Sequence, residues 1–163
     1  LWVVFEILYL SDLAGFFECL NGTMRENILR QLDMLDISTD TNRMLLSSVL
    51  YTLKALRNSV AHNKIIFDTR FKDRNISTIL KKWTEKETNI PNITLYSLID
   101  YIIIVCCVLK RIDFSKTRAT NLLEKYKEEN QCLSGRVPTN IYQTILQQNV
   151  ANKISKLETY LRS

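Results

Sequence analysis

The sequence contains few of the residues that break helices or form tight turns, with three glycines and two prolines among 163 residues. All-β sandwiches and barrels need a turn about every 8–12 residues, so this scarcity argues against them. In place of turns, the chain has long stretches in which apolar residues recur at helical spacing. We therefore predict an all-α fold, in a chain whose length suits one compact domain.

The sequence also lacks the motifs of several large enzyme classes. There is no GxxxxGK[ST], GxGxxG, HExxH or GxSxG segment, which argues against nucleotide-binding enzymes, zinc proteases and α/β-hydrolases. The only histidine is His62, and the cysteines (Cys19, Cys106, Cys107 and Cys132) form no CxxC pair. A zinc site is therefore not expected, and we predict neither a metal nor a cofactor.

Long hydrophobic runs are absent as well. The longest, 102–109, is far short of the ~20 residues that cross a bilayer. The opening run contains Glu6 and has no basic segment or cleavage site, so we do not expect a signal peptide. Free cysteines in an apolar run suit a reducing cytosol, and we expect a cytoplasmic protein without membrane contact. The net charge of +5 is compatible with nucleic-acid binding, although many basic proteins bind none.

Apolar periodicity and breakers divide the chain into predicted helices over 1–20, 24–35, 41–63, 75–87, 94–112 and 114–131, with one or two final helices over 140–161. Thr23 and Glu26 form a capping-box pattern at the start of the second helix. Residues 64–74 are predicted to be a loop, and Ser134-Gly135 with Pro138 a turn. The β-branched segment 94–112 would also suit a buried strand, but its length favours a helix.

Chemistry is suggested by the end of the third predicted helix. At about 100° per residue, Arg57 falls at the edge of the apolar stripe, and His62 lies about 140° further round, away from the core. Asn58 precedes His62 by one turn and shares its face, so it is expected to bond a ring nitrogen and fix the tautomer. The plainer alternative is that Arg57 and His62 only complement the macrodipole of the helix C-terminus.

Metal-free RNA cleavage needs the two side-chain types found here. A histidine moves protons near neutral pH, an arginine offers a planar fork to the charge that develops on phosphate, and the RNA 2′-OH is the nucleophile. A regular helix does not direct Arg57 and His62 to one point. Either the helix is distorted, or a second copy of the chain completes the site across a two-fold axis.

The same residues carry a family resemblance. The segment Arg57-Asn58-Ser59-Val60-Ala61-His62-Asn63, preceded by Leu53 and Leu56, resembles the L-R-N-x-x-A-H segment of Abi-like (abortive infection) proteins. The opening residues 1–8 resemble the W-V-x-x-E-x-L stretch of that family, and 11–17 resemble its small-residue turn leading to an aromatic. The resemblance covers roughly residues 1–110, and it suggests that the N-terminal part of the family pattern is missing.

Abi-like proteins are placed in the wider HEPN group, whose motif is R-x(4–6)-H. The resemblance implies an all-α, HEPN-like helical bundle with additional C-terminal helices: a core over 1–112 and a helical extension over 113–163 packed on the same domain. It also implies a homodimeric, metal-independent endoribonuclease of bacterial phage defence, of the abortive-infection or toxin–antitoxin type. Arg57 would hold the scissile phosphate, and Asn58 and His62 would complete the catalytic set, with His62 moving the proton.

The expected partners are RNA as substrate and a structured non-coding RNA. Trp83 would stack on a base, or else belong to the core. Two alternatives stay open: a non-catalytic RNA-binding module that holds a structured RNA, and a helical protein-interaction module. Further residues predicted to line an RNA path are Asn63, Lys64, Arg70, Lys72, Arg74, Lys81, Lys82, Lys110 and Arg111.

Overall fold

The computed structural model describes residues 9–62, 77–95, 97–112, 116–146 and 149–163. These ranges contain eight helices and no strand, so the predicted all-α fold is confirmed. None of the helices described is both long and apolar enough to cross a membrane. The helices are α1 (Leu10–Cys19), α2 (Gly22–Gln31), α3 (Leu45–Ala61), α4 (Thr78–Thr88), α5 (Leu98–Arg111), α6 (Lys116–Arg136), α7 (Thr139–Leu146) and α8 (Val150–Arg162).

The described residues group into two compact units, with the boundary inside α4 between Trp83 and Thr84. In the first unit, α1 packs against α3. The apolar side chains that recur along these helices form its interior, as their spacing requires. The buried apolar residues of α1 and α3 are Ala14, Phe17, Leu45, Val49 and Leu50. The predicted division of the chain at residue 112 stays a prediction.

An aspartate fixes the start of α3. The buried carboxylate of Asp40 accepts hydrogen bonds from the backbone N–H of Met44 and of Leu45, both at 2.8 Å. These amides precede the first intrahelical bonds and would otherwise have no protein acceptor in the helix. The helix therefore begins at Leu45, four residues later than the periodicity predicts, and it ends at Ala61.

In the second unit, α5 contacts both α6 and α8, and α6 also contacts α7. Most of α5 is buried, which explains why its sequence is apolar on nearly every face. The choice of a helix over a strand for this β-branched segment is confirmed. The buried residues of α5 are Ile99, Asp100, Tyr101, Ile102, Ile103, Ile104, Cys106 and Cys107.

One carboxylate at the start of α5 organises the segment before it. Oδ2 of Asp100 accepts hydrogen bonds from the backbone N–H and hydroxyl of Thr94 and from the N–H of Leu95, whose φ is 60°. Oδ1 accepts from Nζ of Lys153 on α8 at 2.5 Å, and Lys153 also donates to the carbonyl of Asn92. Every charged group in this buried cluster is therefore paired.

Several predicted boundaries are corrected. Asn21, not Thr23, caps α2, because its side-chain oxygen accepts from the N–H of Met24 at 2.9 Å. The α6 helix continues through Ser134 and Gly135 to Arg136, where a turn was predicted. Of the one or two helices predicted over 140–161, the structure has two, α7 and α8, so that prediction needs no correction. The predicted loop 64–74 and the first eight residues lie outside the described residues.

Candidate functional site

Arg57, Asn58 and His62 lie at the C-terminal end of α3. The helix stays regular to its end, where the N–H of His62 donates to the carbonyl of Asn58 at 3.0 Å. The side chains of Arg57 and His62 are exposed, and that of Asn58 is half-buried. Both residues of the predicted catalytic pair are thus open to solvent, and neither contributes to the core of the unit.

The side chains of the motif are not joined to one another. Within the described residues, no hydrogen bond links the amide of Asn58 to the ring of His62, so the tautomer-fixing bond expected from their spacing is not formed. Arg57 precedes His62 by five positions, a rotation of about 140° round a regular helix. The helix is undistorted up to Ala61. A single copy of α3 therefore does not bring the guanidinium and the imidazole to one point.

The charge on α3 has one sign. The helix carries Lys54 and Arg57 and no carboxylate, and Lys54 is one turn before Arg57 on the same side. Arg57 has no ion-pair partner among the residues described. Because the partial negative charge of a helix C-terminus repels phosphate, these cations are needed for an anion to approach His62. The end of α3 is suited to hold an anion through Arg57 and Lys54.

The predicted RNA-lining residues fall into three groups. Asn63, Lys64, Arg70, Lys72 and Arg74 lie outside the described residues. Two others are lysines on the part of α4 that belongs to the first unit: Lys81 is half-buried and Lys82 exposed. The last two, Lys110 and Arg111 at the end of α5, belong to the second unit.

Lys110 and Arg111 make internal contacts within the second unit. Nζ of Lys110 donates to the carbonyl of Tyr160 at 2.8 Å and to Oγ of Ser163, and it lies 4.0 Å from the centroid of the Tyr160 ring. Arg111 pairs with Glu87 on α4, and the hydroxyl of Tyr160 donates to the same carboxylate. These two cations connect α4, α5 and α8. Their internal contacts give them a structural role that is an alternative to the predicted RNA binding.

Trp83 is 4% exposed. An indole with so little accessible surface offers no face for a base to stack on. Of the two readings that the sequence left open for this residue, the core one is confirmed.

Sequence reasoning passed over two arginines at the other end of α3. Arg25 on α2 and Arg43, just before α3, line a cleft together with Met44. No motif signals them, because residues 25 and 43 come together only through the packing of α2 beside the start of α3. A weak signal exists in Asp40, a helix-capping residue type placed shortly before an apolar run.

Comparison with known proteins bears on the first unit. The family model described as "Abi-like protein" matches residues 1–68, a range that includes α1, α2, α3 and the Arg57–His62 motif. The resemblance to Abi-like proteins is thereby confirmed over this part of the chain, which is shorter than the range of roughly 1–110 expected from the sequence. No curated protein and no solved structure matches the chain. The family match points to a function of the abortive-infection type.

Proposed function

We propose that this chain is a metal-independent endoribonuclease that acts in phage defence as a homodimer. The observation that carries the proposal is the placement of Arg57 and His62: exposed, on a helix end without carboxylates, and inside the segment that matches Abi-like proteins. A buried motif would have indicated a purely structural role. Exposure leaves the guanidinium and the imidazole free to meet a phosphodiester.

In the proposed reaction, Arg57 binds the non-bridging oxygens of the scissile phosphate and stabilises the charge that builds on them. His62 removes the proton from the 2′-OH, and the 2′-oxygen forms a bond to phosphorus. The bond between phosphorus and the 5′-oxygen breaks, and this oxygen takes a proton from an imidazolium. The products are a 2′,3′-cyclic phosphate and a 5′-hydroxyl, so no net proton is consumed.

A dimer would bring the guanidinium of Arg57 and the imidazole of His62 to one point. Since one regular α3 separates Arg57 and His62 by about 140°, two copies related by a two-fold axis would place Arg57 of one protomer beside His62 of the other. The same imidazole, protonated by the 2′-OH, then protonates the leaving 5′-oxygen, so each composite site uses one Arg57 and one His62. In this arrangement Asn58 contacts RNA or the second protomer, in place of the ring bond that is not formed within one chain.

The direct test is cleavage of a labelled RNA in EDTA, with identification of the 2′,3′-cyclic phosphate. We expect His62→Ala and Arg57→Ala to lower kcat at least about a hundredfold, the usual contribution of a proton-transfer group or an oxyanion donor. Arg57→Lys keeps the charge and loses the planar fork, so its kcat should lie between that of the wild type and that of Arg57→Ala. Arg136→Ala removes the same charge from an exposed position of the second unit and should leave kcat unchanged.

A mixing experiment tests the shared site. His62→Ala protein and Arg57→Ala protein are each inactive, but a mixed dimer retains one site with Arg57 from one protomer and His62 from the other. Random mixing should restore about a quarter of wild-type activity, since half of the dimers are mixed and each has one of two sites. No recovery in a mixture shown to exchange subunits would place each site within one protomer.

Two outcomes would favour the alternatives. If the wild-type protein binds RNA and never cuts it, the chain is an RNA-binding module. If it neither cuts nor binds RNA at low salt, where phosphate contacts are strongest, a protein-interaction role takes precedence.

A further inference from the structure

A cleft of about 730 Å³ lies at the start of α3, at the opposite end of this helix from His62. It is walled on one side by the first turns of α2 and on the other by the residues that lead into α3. All of its lining belongs to the first unit. The lining residues are Gly22, Thr23, Arg25, Glu26, Asn27, Thr41, Asn42, Arg43 and Met44.

Arg25 is the residue of this cleft whose bonding is incomplete. Its Nε atom is buried and has no acceptor among the described residues, and its Nη1 atom contacts Sδ of Met44 at 2.7 Å. A thioether is a weak acceptor, and a guanidinium cannot lose its proton to avoid the cost of burial. A part-buried cation without a carboxylate partner is stabilised by an oxygen anion, which the cleft has room to admit.

The carboxylate beside Arg25 is already engaged by other arginines. Oε2 of Glu26 accepts from Nε and Nη2 of Arg43 at 3.2 and 3.1 Å, and Oε1 accepts from Nη2 of Arg30 at 2.9 Å. The hydrogen bond from Arg43 is the main reason why the pKa of Glu26 lies below its usual value. Glu26 therefore stays ionised, and its charge is opposed by Arg30 and Arg43, which leaves Arg25 unpaired.

The remaining groups around the cleft also favour an anion. Asp40 is the other nearby carboxylate, and both its oxygens accept from α3 amides. The amides of Gly22 and Thr23 belong to the first turn of α2 and have no acceptor within the helix, so they add donors and the positive end of a dipole. Arg43 adopts a φ of 55°, a costly conformation for a side-chain-bearing residue, and strain of this kind often marks a functional position.

We propose that this cleft binds a phosphate group of an RNA strand whose cleavage occurs at the far end of α3. The inference rests on the ribonuclease function proposed above. The helix rises about 27 Å between Met44 and His62, at 1.5 Å per residue. Phosphates of one strand in a duplex follow one another at about 3.4 Å along the axis, so about eight nucleotides would reach from the cleft to His62. The cleft would select longer RNAs over short fragments.

The low glycine content makes a direct test available. Protein labelled with ¹⁵N at glycine gives signals from three glycines, and of these only Gly22 lines the cleft, while Gly15 lies on α1 and Gly135 on α6. The His62→Ala protein, which we expect not to cut, is titrated with a single-stranded RNA of twelve nucleotides. We expect the Gly22 signal to shift saturably with RNA. The Gly135 signal should stay in place.

Arg25→Gln keeps most of the side-chain stem and removes the charge. We expect it to weaken binding of the twelve-nucleotide RNA about tenfold, as for the loss of one charge-assisted hydrogen bond, and to lower the salt dependence by about one phosphate contact. Binding of a dinucleotide, too short to span α3, should not change. Arg136→Gln is the matched control: it removes the same charge from an exposed residue of the second unit that does not line the cleft, and it should alter affinity less than twofold.

Thermal melting checks that the variants fold. Should Arg25→Gln lower the melting temperature, Arg25→Lys supplies the measurement, since it keeps the charge and should retain more affinity than Gln. RNA binding with Gly22 unmoved, or equal losses from Arg25→Gln and Arg136→Gln, overturns the cleft and leaves the ribonuclease proposal standing. A response of Gly22 that depends on Arg25, in a protein whose cleavage does not depend on His62, overturns the ribonuclease proposal and leaves the cleft.

Discussion

At the scale of single residues, Lys153 and Asp100 show how much a buried charge depends on its partner. The side chain of Lys153 is 10% exposed and that of Asp100 fully buried, and they meet at 2.5 Å. The lysine comes from α8 and the aspartate from the first turn of α5, so the two charges meet only through packing of the two helices. Together they fix the 92–95 segment, whose backbone groups bond to both.

We predict that Lys153→Met lowers the free energy of unfolding by about 3 kcal/mol, because it leaves the Asp100 carboxylate buried without a counter-ion. Chemical denaturation at neutral pH measures the change. Lys156→Met, three residues further along α8, is the matched control: its ammonium makes one exposed bond to the carbonyl of Asn89, and the expected loss is below about 0.5 kcal/mol. Equal effects would mean that the ion pair is not what stabilises the second unit.

Arg57 and His62 differ from this pair in that their exposure was predictable. Their positions on a periodic helix directed His62 away from the core and left Arg57 at the edge of the stripe. The hydrogen bond that spacing predicted between Asn58 and the His62 ring is not formed, because sharing a helix face brings two side chains near each other without requiring them to bond. Under the proposed function, Arg57 and His62 would meet only through a second chain, because one regular helix keeps them about 140° apart.

At the scale of helices, the ends were the hardest features to derive. The α2 helix begins two residues earlier than the capping-box pattern of Thr23 and Glu26 indicates, since Asn21 caps it and Glu26 bonds Arg30 and Arg43. Asn21 and Thr23 are both helix-capping residue types, and the structure uses Asn21. The α6 helix runs through Gly135, because a single glycine weakens a helix without ending it.

We predict that Asn21→Ala lowers the free energy of unfolding by about 1 kcal/mol through loss of the α2 cap. Thr23→Ala should change it by less than about 0.5 kcal/mol, since the Thr23 side chain is exposed and makes no capping bond. Denaturation of the two variants side by side gives the answer. A larger effect at Thr23 would restore the capping box that the sequence indicated.

At the scale of the whole molecule, the four cysteines differ in whether packing protects their thiols from solvent. The second unit contains Cys106 and Cys107, both fully buried on α5, while Cys19 and Cys132 are exposed. Burial raises the pKa of the Cys106 thiol to about 12 and that of Cys107 higher still. Neither thiol forms the reactive thiolate near neutral pH unless the unit opens.

We predict that an alkylating reagent at pH 8 modifies Cys19 and Cys132 rapidly and leaves Cys106 and Cys107 protected. The mass of the native protein should rise by two adducts, and by four after denaturation. A Cys19→Ser/Cys132→Ser variant isolates the slow pair, and its labelling rate then reports opening of the second unit alone. Fast modification of all four thiols in the native protein would contradict the packing of α5.

The sequence by itself determined that this chain is helical and where its exposed motif lies, because periodicity and the shortage of turn residues are local properties. It also carried the resemblance to Abi-like proteins, since the motif is continuous in the chain. Only the tertiary structure decided that Lys153 faces Asp100, that Lys110 and Arg111 hold α8 and α4, and that Arg25 lines a cleft without a carboxylate partner. These pairings join residues far apart in sequence, and their geometry exists only once the helices have packed.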